Sequence, residues 1–279
     1  KSNKHEILNQ SNTGPGPARN KGIRELPSSI KYFICLDGDD LLNPKAIEES
    51  VSHMDRSRDT GLLYWKYELV DETGDILKRY NRREKWQKRK VPTTFWTKTL
   101  KKDEPYTPIH AVYNHAGIIP SCSIIRKSAY KKTDGYCEKD ILKKGMEDVI
   151  LFVEMCLKSD VKFVPKELTY YRVHENQISS APERAWKQGR KLKRYWRKKA
   201  EDVYSNHEKL REAIYYGDLR YPTKKRINAA IGKIKKGKLV IGILAALGAL
   251  WRYCLSLVPP SIGYPMYKKL HVSKLNTEV

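Results

Sequence analysis

Tyr32-Phe33-Ile34-Cys35-Leu36-Asp37-Gly38-Asp39-Asp40 is the stretch on which the reading of the fold turns. Five apolar, β-prone residues predict a buried strand. Three carboxylates follow it within four residues. In open α/β sheets, ligands bind at the carboxyl end of the strands. Carboxylates crowded there repel unless a cation lies among them, and oxygen ligands suit a hard ion such as Mg²⁺ or Mn²⁺. A divalent metal holding a diphosphate is one expectation. The plainer one is a solvated turn, with Asp40 capping the next helix and Pro44 in that helix's first turn.

Working outward, His5-Glu6-Ile7-Leu8 reads as the end of a strand, and Asn12-Thr13-Gly14-Pro15-Gly16 as a turn that opens a helix from Pro17. After the acidic loop, Ala46, Ile47, Val51 and Met54 form one apolar helical face. Gly61 to Val70 predicts a strand, Asp71 to Gly74 a turn and Ile76 to Tyr80 a return strand. Arg82 to Lys102 is basic and aromatic; it is either a loop over the site or a surface segment. Glu147-Asp148 starts a helix whose apolar positions run from Val149 to Leu157. Val161 to Val164 and Leu168 to Tyr171 predict two short strands.

The length of 279 residues allows one sizeable domain with an extension, or two small domains. The five cysteines include no CxxC pair, which gives no support to a zinc site and suits a reducing compartment. Net charge is +23, of which residues 181–279 carry +16. The chain thus reads as a mildly basic globular domain over 1–180 and a basic helical extension over 181–279. The extension calls for an anionic partner.

Four motifs, taken in order, resemble glycosyltransferase family 2, the inverting enzymes of GT-A fold. They are Asn12 to Gly22, Leu36 to Asp40, Gly145-Met146-Glu147-Asp148 and Tyr171-Arg172-Val173-His174. The resemblance implies an α/β fold, a Rossmann-like mixed sheet flanked by helices. The family's opening strands would precede Lys1, so the chain is expected to be an amino-terminally incomplete domain. The resemblance also implies roles. Asp39 holds Mn²⁺ or Mg²⁺, Asp37 meets the donor ribose or a metal-bound water, and His174 completes the metal shell. Asp148, with Glu147 beside it, takes the acceptor proton, although acidic residues at a helix start also offset its dipole without catalysis. Arg19 and Arg172 are candidates for the nucleotide diphosphate; the plainer reading has Arg19 lock the loop with Asn20 and Arg172 pair with a structural carboxylate. Ser121, Cys122 and Ser123 line the acceptor side.

In the extension, Lys233, Lys235, Lys236 and Lys238 precede an apolar run from Leu239 to Val258 broken only by Arg252. A helix on an anionic membrane surface is the first expectation; a membrane span and a buried core helix are the others. The expected function is transfer of a sugar from a nucleotide-sugar donor to a glycan or lipid-linked hydroxyl in surface polysaccharide assembly. The expected location is the cytoplasmic face of a membrane, peripheral or singly anchored. Two alternatives stay open: an inactive remnant of such an enzyme, and a basic nucleic-acid- or membrane-binding protein without catalysis. No nucleic acid is expected as partner, because the basic excess lies outside the strand-borne acidic motifs.

Overall fold

The computed structural model describes residues 5–77, 118–138, 147–174, 223–255 and 257–259, with the single positions 192, 195, 196, 198, 199, 215 and 262. The segment Arg82 to Lys102, Gly145-Met146 and most of Trp186 to Tyr204 lie outside the described residues. The chain divides into two compact units, Lys1–Tyr195 and Trp196–Val279.

The first unit is an α/β domain of GT-A type. Helix α1 (Pro15–Glu25) is followed by β1 (Tyr32–Phe33), β2 (Leu41–Leu42), α2 (Ala46–Asp55) and β3 (Thr60–Val70). A 3-10 turn at Pro120–Cys122 leads into β4 (Ser123–Arg126), the short α3 (Lys127–Tyr130), α4 (Glu147–Lys158) and β5 (Asp160–Arg172). The five strands form one sheet in the order β1-β4-β3-β5-β2. β3 and β5 are parallel, while β4 is antiparallel to both β3 and β1. β1, β3 and β5 therefore point the same way and deliver their carboxyl ends to one edge of the domain. That edge carries the acidic loop.

One face of the sheet closes on Ala46 and Met54 of α2, packed with Leu63, Trp65, Ile124 and Val164. α4 is buried along almost its whole length, from Val149 to Met155. Its one interior carboxylate beyond the first turn, Glu154, accepts the Asp134 N–H at 2.7 Å, as a buried charge requires.

Several expectations from the sequence are corrected here. Among the described residues, the five-residue strand Tyr32–Leu36 contributes only Tyr32 and Phe33 to the ladder, paired with β4. Residues 5–14 contain no strand. Ile76 makes only an isolated bridge to Val70. The two short strands over 161–171 are one thirteen-residue strand, β5, whose pairing with β3 shifts register near Trp65 and Lys66. Asp40 does not cap α2. That helix begins after Lys45, and Asn43 serves its start by accepting the Lys45 N–H on Oδ1 and the Ala46 N–H on its carbonyl.

The second unit contains a helical hairpin, α5 (Thr223–Lys235) and α6 (Leu239–Leu255). Gly237 turns the chain at φ 77°, a conformation that favours glycine. The Lys238 N–H reaches back to the Lys233 carbonyl at 3.0 Å, closing the end of α5. At the other end of α6, the Tyr215 hydroxyl donates to the carbonyls of Leu255 and Val258. Among the described residues no helix is long and apolar enough to cross a membrane.

Candidate active site

Four pieces of chain meet at the carboxyl edge of the sheet: the start of α1, the acidic loop 37–40, the first turn of α4 and the end of β5. Arg19 is the hub. Its Nη2 donates to Asp37 Oδ1 and its Nη1 to Glu147 Oε1, each at 2.6 Å. The side chain is 14% exposed and that of Glu147 only 5%. A guanidinium fork suits this task, since it reaches two carboxylates in fixed directions. Burial alone would discourage its charge, but Asp37, then Tyr136 and Glu147, more than offset that and raise its pKa above the ordinary arginine value. Arg19 thus ties together the acidic loop and the helix start, the two acidic motifs singled out in the sequence.

Asp148 lies beside this pair and has no part in it. Its Oδ1 accepts the Val149 N–H at 2.8 Å. Some of the residue stays open to solvent, yet burial and the neighbouring Glu147 push its pKa up to about 7, against the opposing pull of Arg19. A carboxylate with that affinity for a proton can exchange one near neutral pH. The two acids therefore differ in situation: Glu147 is held as a counter-ion, and Asp148 is poised to titrate.

The other half of the acidic loop faces β5. Asp39 Oδ2 lies 2.9 Å from His174 Nε2, and the Asp39 side chain is 41% exposed. Asp40 is buried, accepts the Arg172 N–H at 3.0 Å and is pushed up to about 6, chiefly by burial. The Arg172 side chain donates to the carbonyls of Asp39, Asp71 and Glu72. It therefore fastens the acidic loop to the turn after β3, and its partners there are carbonyls, neither a phosphate nor the structural carboxylate expected of it.

Among the described residues no group of three or more His, Cys, Asp or Glu is arranged to hold a metal unaided. The donor chemistry nonetheless fits a hard divalent cation bound with its substrate. Mg²⁺ sites commonly use one or two carboxylates plus substrate phosphates and water. Asp39 and His174 offer one oxygen and one nitrogen side by side, accessible from solvent. Asp37 fits less well, because the Arg19 cation already occupies one of its oxygens.

Ser121, Cys122 and Ser123 are all buried, so they do not line an acceptor surface. Ser121 instead supports the loop from behind. Its Oγ accepts the Asp37 N–H at 3.0 Å, and its carbonyl accepts the Thr169 hydroxyl at 2.8 Å, which in turn accepts from Trp65 Nε1. One residue of the site was given no role of its own in the sequence. Tyr136 stacks its ring 5.3 Å from the Arg19 guanidinium. Asn20 holds it there, donating to the Tyr136 carbonyl at 2.8 Å and accepting its N–H at 3.0 Å. The juxtaposition of Asn20 and Arg19 in the helix after the Gly-Pro turn was visible; the partner 116 residues away was not.

The fold and this edge define a GT-A-type domain with an acidic strand-end loop facing an acidic helix start. Residues 2–134 match the model described as Glycosyl transferase family 2. An uncharacterized glycosyltransferase of Methanocaldococcus jannaschii is 29% identical over 198 residues, covering 69% of this chain and 59% of the relative. Residues 1–349 of S. aureus TarS, solved in complex with UDP-GlcNAc, match with a TM-score of 0.50 at 19% identity. That match covers 90% of this chain and 64% of TarS 1–349. The chain thus spans about three-fifths of the length of the relative and of TarS 1–349.

Proposed function

We propose that this domain serves an inverting glycosyltransferase that moves a sugar from a nucleotide-sugar donor to a hydroxyl of a glycan or lipid-linked acceptor in polysaccharide assembly. The observation that carries the reading is Arg19 joining Asp37 to Glu147. Through it, the loop suited to a diphosphate is tied to the helix start that carries Asp148. Asp39 and His174 are the residues that would hold Mn²⁺ or Mg²⁺, and the bound ion would supply charge neutralisation to the departing diphosphate. Asp148 accepts the proton of the acceptor hydroxyl as that oxygen attacks the anomeric carbon opposite the leaving group. Arg19 holds Glu147, the neighbour of Asp148, against the acidic loop, and the Asp40 carboxylate and the Arg172 side chain fasten that loop to the end of β5.

UDP-GlcNAc is the natural first donor to try, since it is the ligand of the structurally similar TarS. The test is UDP release from UDP-GlcNAc and a panel of other nucleotide sugars, in Mn²⁺ and in excess EDTA. Release that requires Mn²⁺, with inversion at the anomeric carbon of the product, is expected for at least one donor. A product retaining the donor's anomeric configuration overturns the mechanism.

A further inference from the structure

The hairpin of the second unit is built with its sizes reversed. Where α6 packs on α5 its residues are small: Gly242 and Ala249 are buried and Ala245 and Ala246 half-buried. The approach is close, since a Cβ at Gly242 would lie 2.3 Å from Ile234 Cγ1 and 3.0 Å from the Ala230 carbonyl oxygen. The large side chains point away from the partner helix. Val240, Ile243, Leu244, Leu247, Leu250 and Trp251 are between 45% and 70% exposed. At 100° per residue they fall on one broad arc opposite Gly242, and no charged residue interrupts it. A helix hairpin covered by water would carry polar residues there. Small residues between helices and large apolar ones outward are the arrangement of helices whose surroundings are lipid.

The flank decides what covers this face. Lys233, Lys235, Lys236 and Lys238, all exposed, crowd the turn at the start of the apolar arc, and no Asp or Glu occurs between residues 219 and 277. A second copy on the same face would bring more unneutralised lysines to it. An anionic bilayer neutralises them while accepting the apolar arc. We infer that α5–α6 is a membrane-docking hairpin, lying in the interface of an anionic bilayer with the Leu244–Leu247–Trp251 arc downward and the Lys233–Lys238 turn among the headgroups. At seventeen residues α6 is about 25 Å long, shorter than the hydrocarbon core, which favours lying in the surface over crossing it. Trp251, on this arc, is a residue type enriched at that depth.

The test is flotation of the full chain with phosphatidylcholine vesicles that contain or lack phosphatidylglycerol. The chain is expected to float only with the anionic vesicles. Lys235→Gln with Lys236→Gln should weaken binding about fivefold per lysine, and Leu244→Glu with Leu247→Glu should leave the chain in the soluble fraction with an unchanged circular dichroism spectrum. Failure of the parent chain to float with anionic vesicles overturns the inference, as does undiminished flotation of the glutamate variant. A lipid-free dimer by sedimentation that the leucine changes dissociate also overturns it, by giving the face to a second copy. If the glutamate variant does not fold, the parent and lysine variants decide.

Discussion

Arg19 and Asp148 carry the proposed chemistry at the scale of single residues. Arg19→Ala removes the only charge partner shown for Glu147, which is 5% exposed, and a buried carboxylate left alone is costly. Urea unfolding should show a loss of about 3 kcal/mol. Arg19→Lys should recover only part of it, because an ammonium cannot fork toward two carboxylates. Asp148 makes a prediction in pH. If it is the base it must be ionised, so kcat should fall about tenfold per pH unit below a pKa near 7 and level off above it. Stability should run the other way. The folded-state pKa of about 7 lies above the ordinary aspartate value of about 4. The folded chain therefore holds this proton more tightly than the unfolded chain, and stability falls as pH rises through that window. Asp148→Asn should abolish transfer yet gain stability over the parent at pH 8, and lose that advantage at pH 4. Thermal melts at the two pH values check the second half.

At the scale of elements, the contact of α1 with the start of α4 is what keeps Arg19 between its two carboxylates. Gly16 is the close point. A Cβ there would sit 2.6 Å from the Cys137 carbonyl oxygen and 3.1 Å from Glu147 Cγ, and a backbone carbonyl cannot simply rotate away. Gly16→Ala should cost about 2 kcal/mol in unfolding and lower kcat by displacing Arg19, measurable on the same preparation. Much of this level was legible in the sequence. Helical spacing located α2 and α4, and the β-prone run Gly61–Val70 located β3. The illegible parts depended on partners distant in the chain. The run Tyr32–Leu36 looked like a central strand because composition reports burial and cannot report which neighbours a strand has. Asp40 looked like a cap because it precedes a helix, whereas its partner is the Arg172 N–H, 132 residues on. Arg19 and Arg172 looked alike as phosphate candidates. Only the fold separates the one that bridges carboxylates from the one that binds carbonyls.

At the scale of the whole molecule, charge is divided as the two roles would require. The acidic motifs lie in the first unit, and +16 of the net +23 lies in residues 181–279. Surface attraction to anionic lipid is screened once the Debye length falls to about 10 Å near 0.1 M salt, but a proton transfer inside a partly shielded site is not. Raising sodium chloride should therefore release the chain from anionic vesicles while leaving kcat on a soluble acceptor unchanged. The family's motif order made the first unit recognisable, and the four-lysine turn with its apolar run made the second suspect. That small residues face inward in α6 required the hairpin itself, since hydropathy along a sequence does not say which side of a helix is covered.

In the proposed reaction Asp39 and Asp148 act in different ways, the first at the donor diphosphate and the second at the acceptor proton. The most direct measurement is Mn²⁺ binding in the presence of UDP, followed by water-proton relaxation, set beside turnover of the donor. Asp39→Asn should lose both the binding and the turnover, while Asp148→Asn should bind Mn²⁺ and UDP as the parent does and turn over nothing. Full turnover by Asp148→Asn, or unaltered Mn²⁺ binding by Asp39→Asn, would contradict the account.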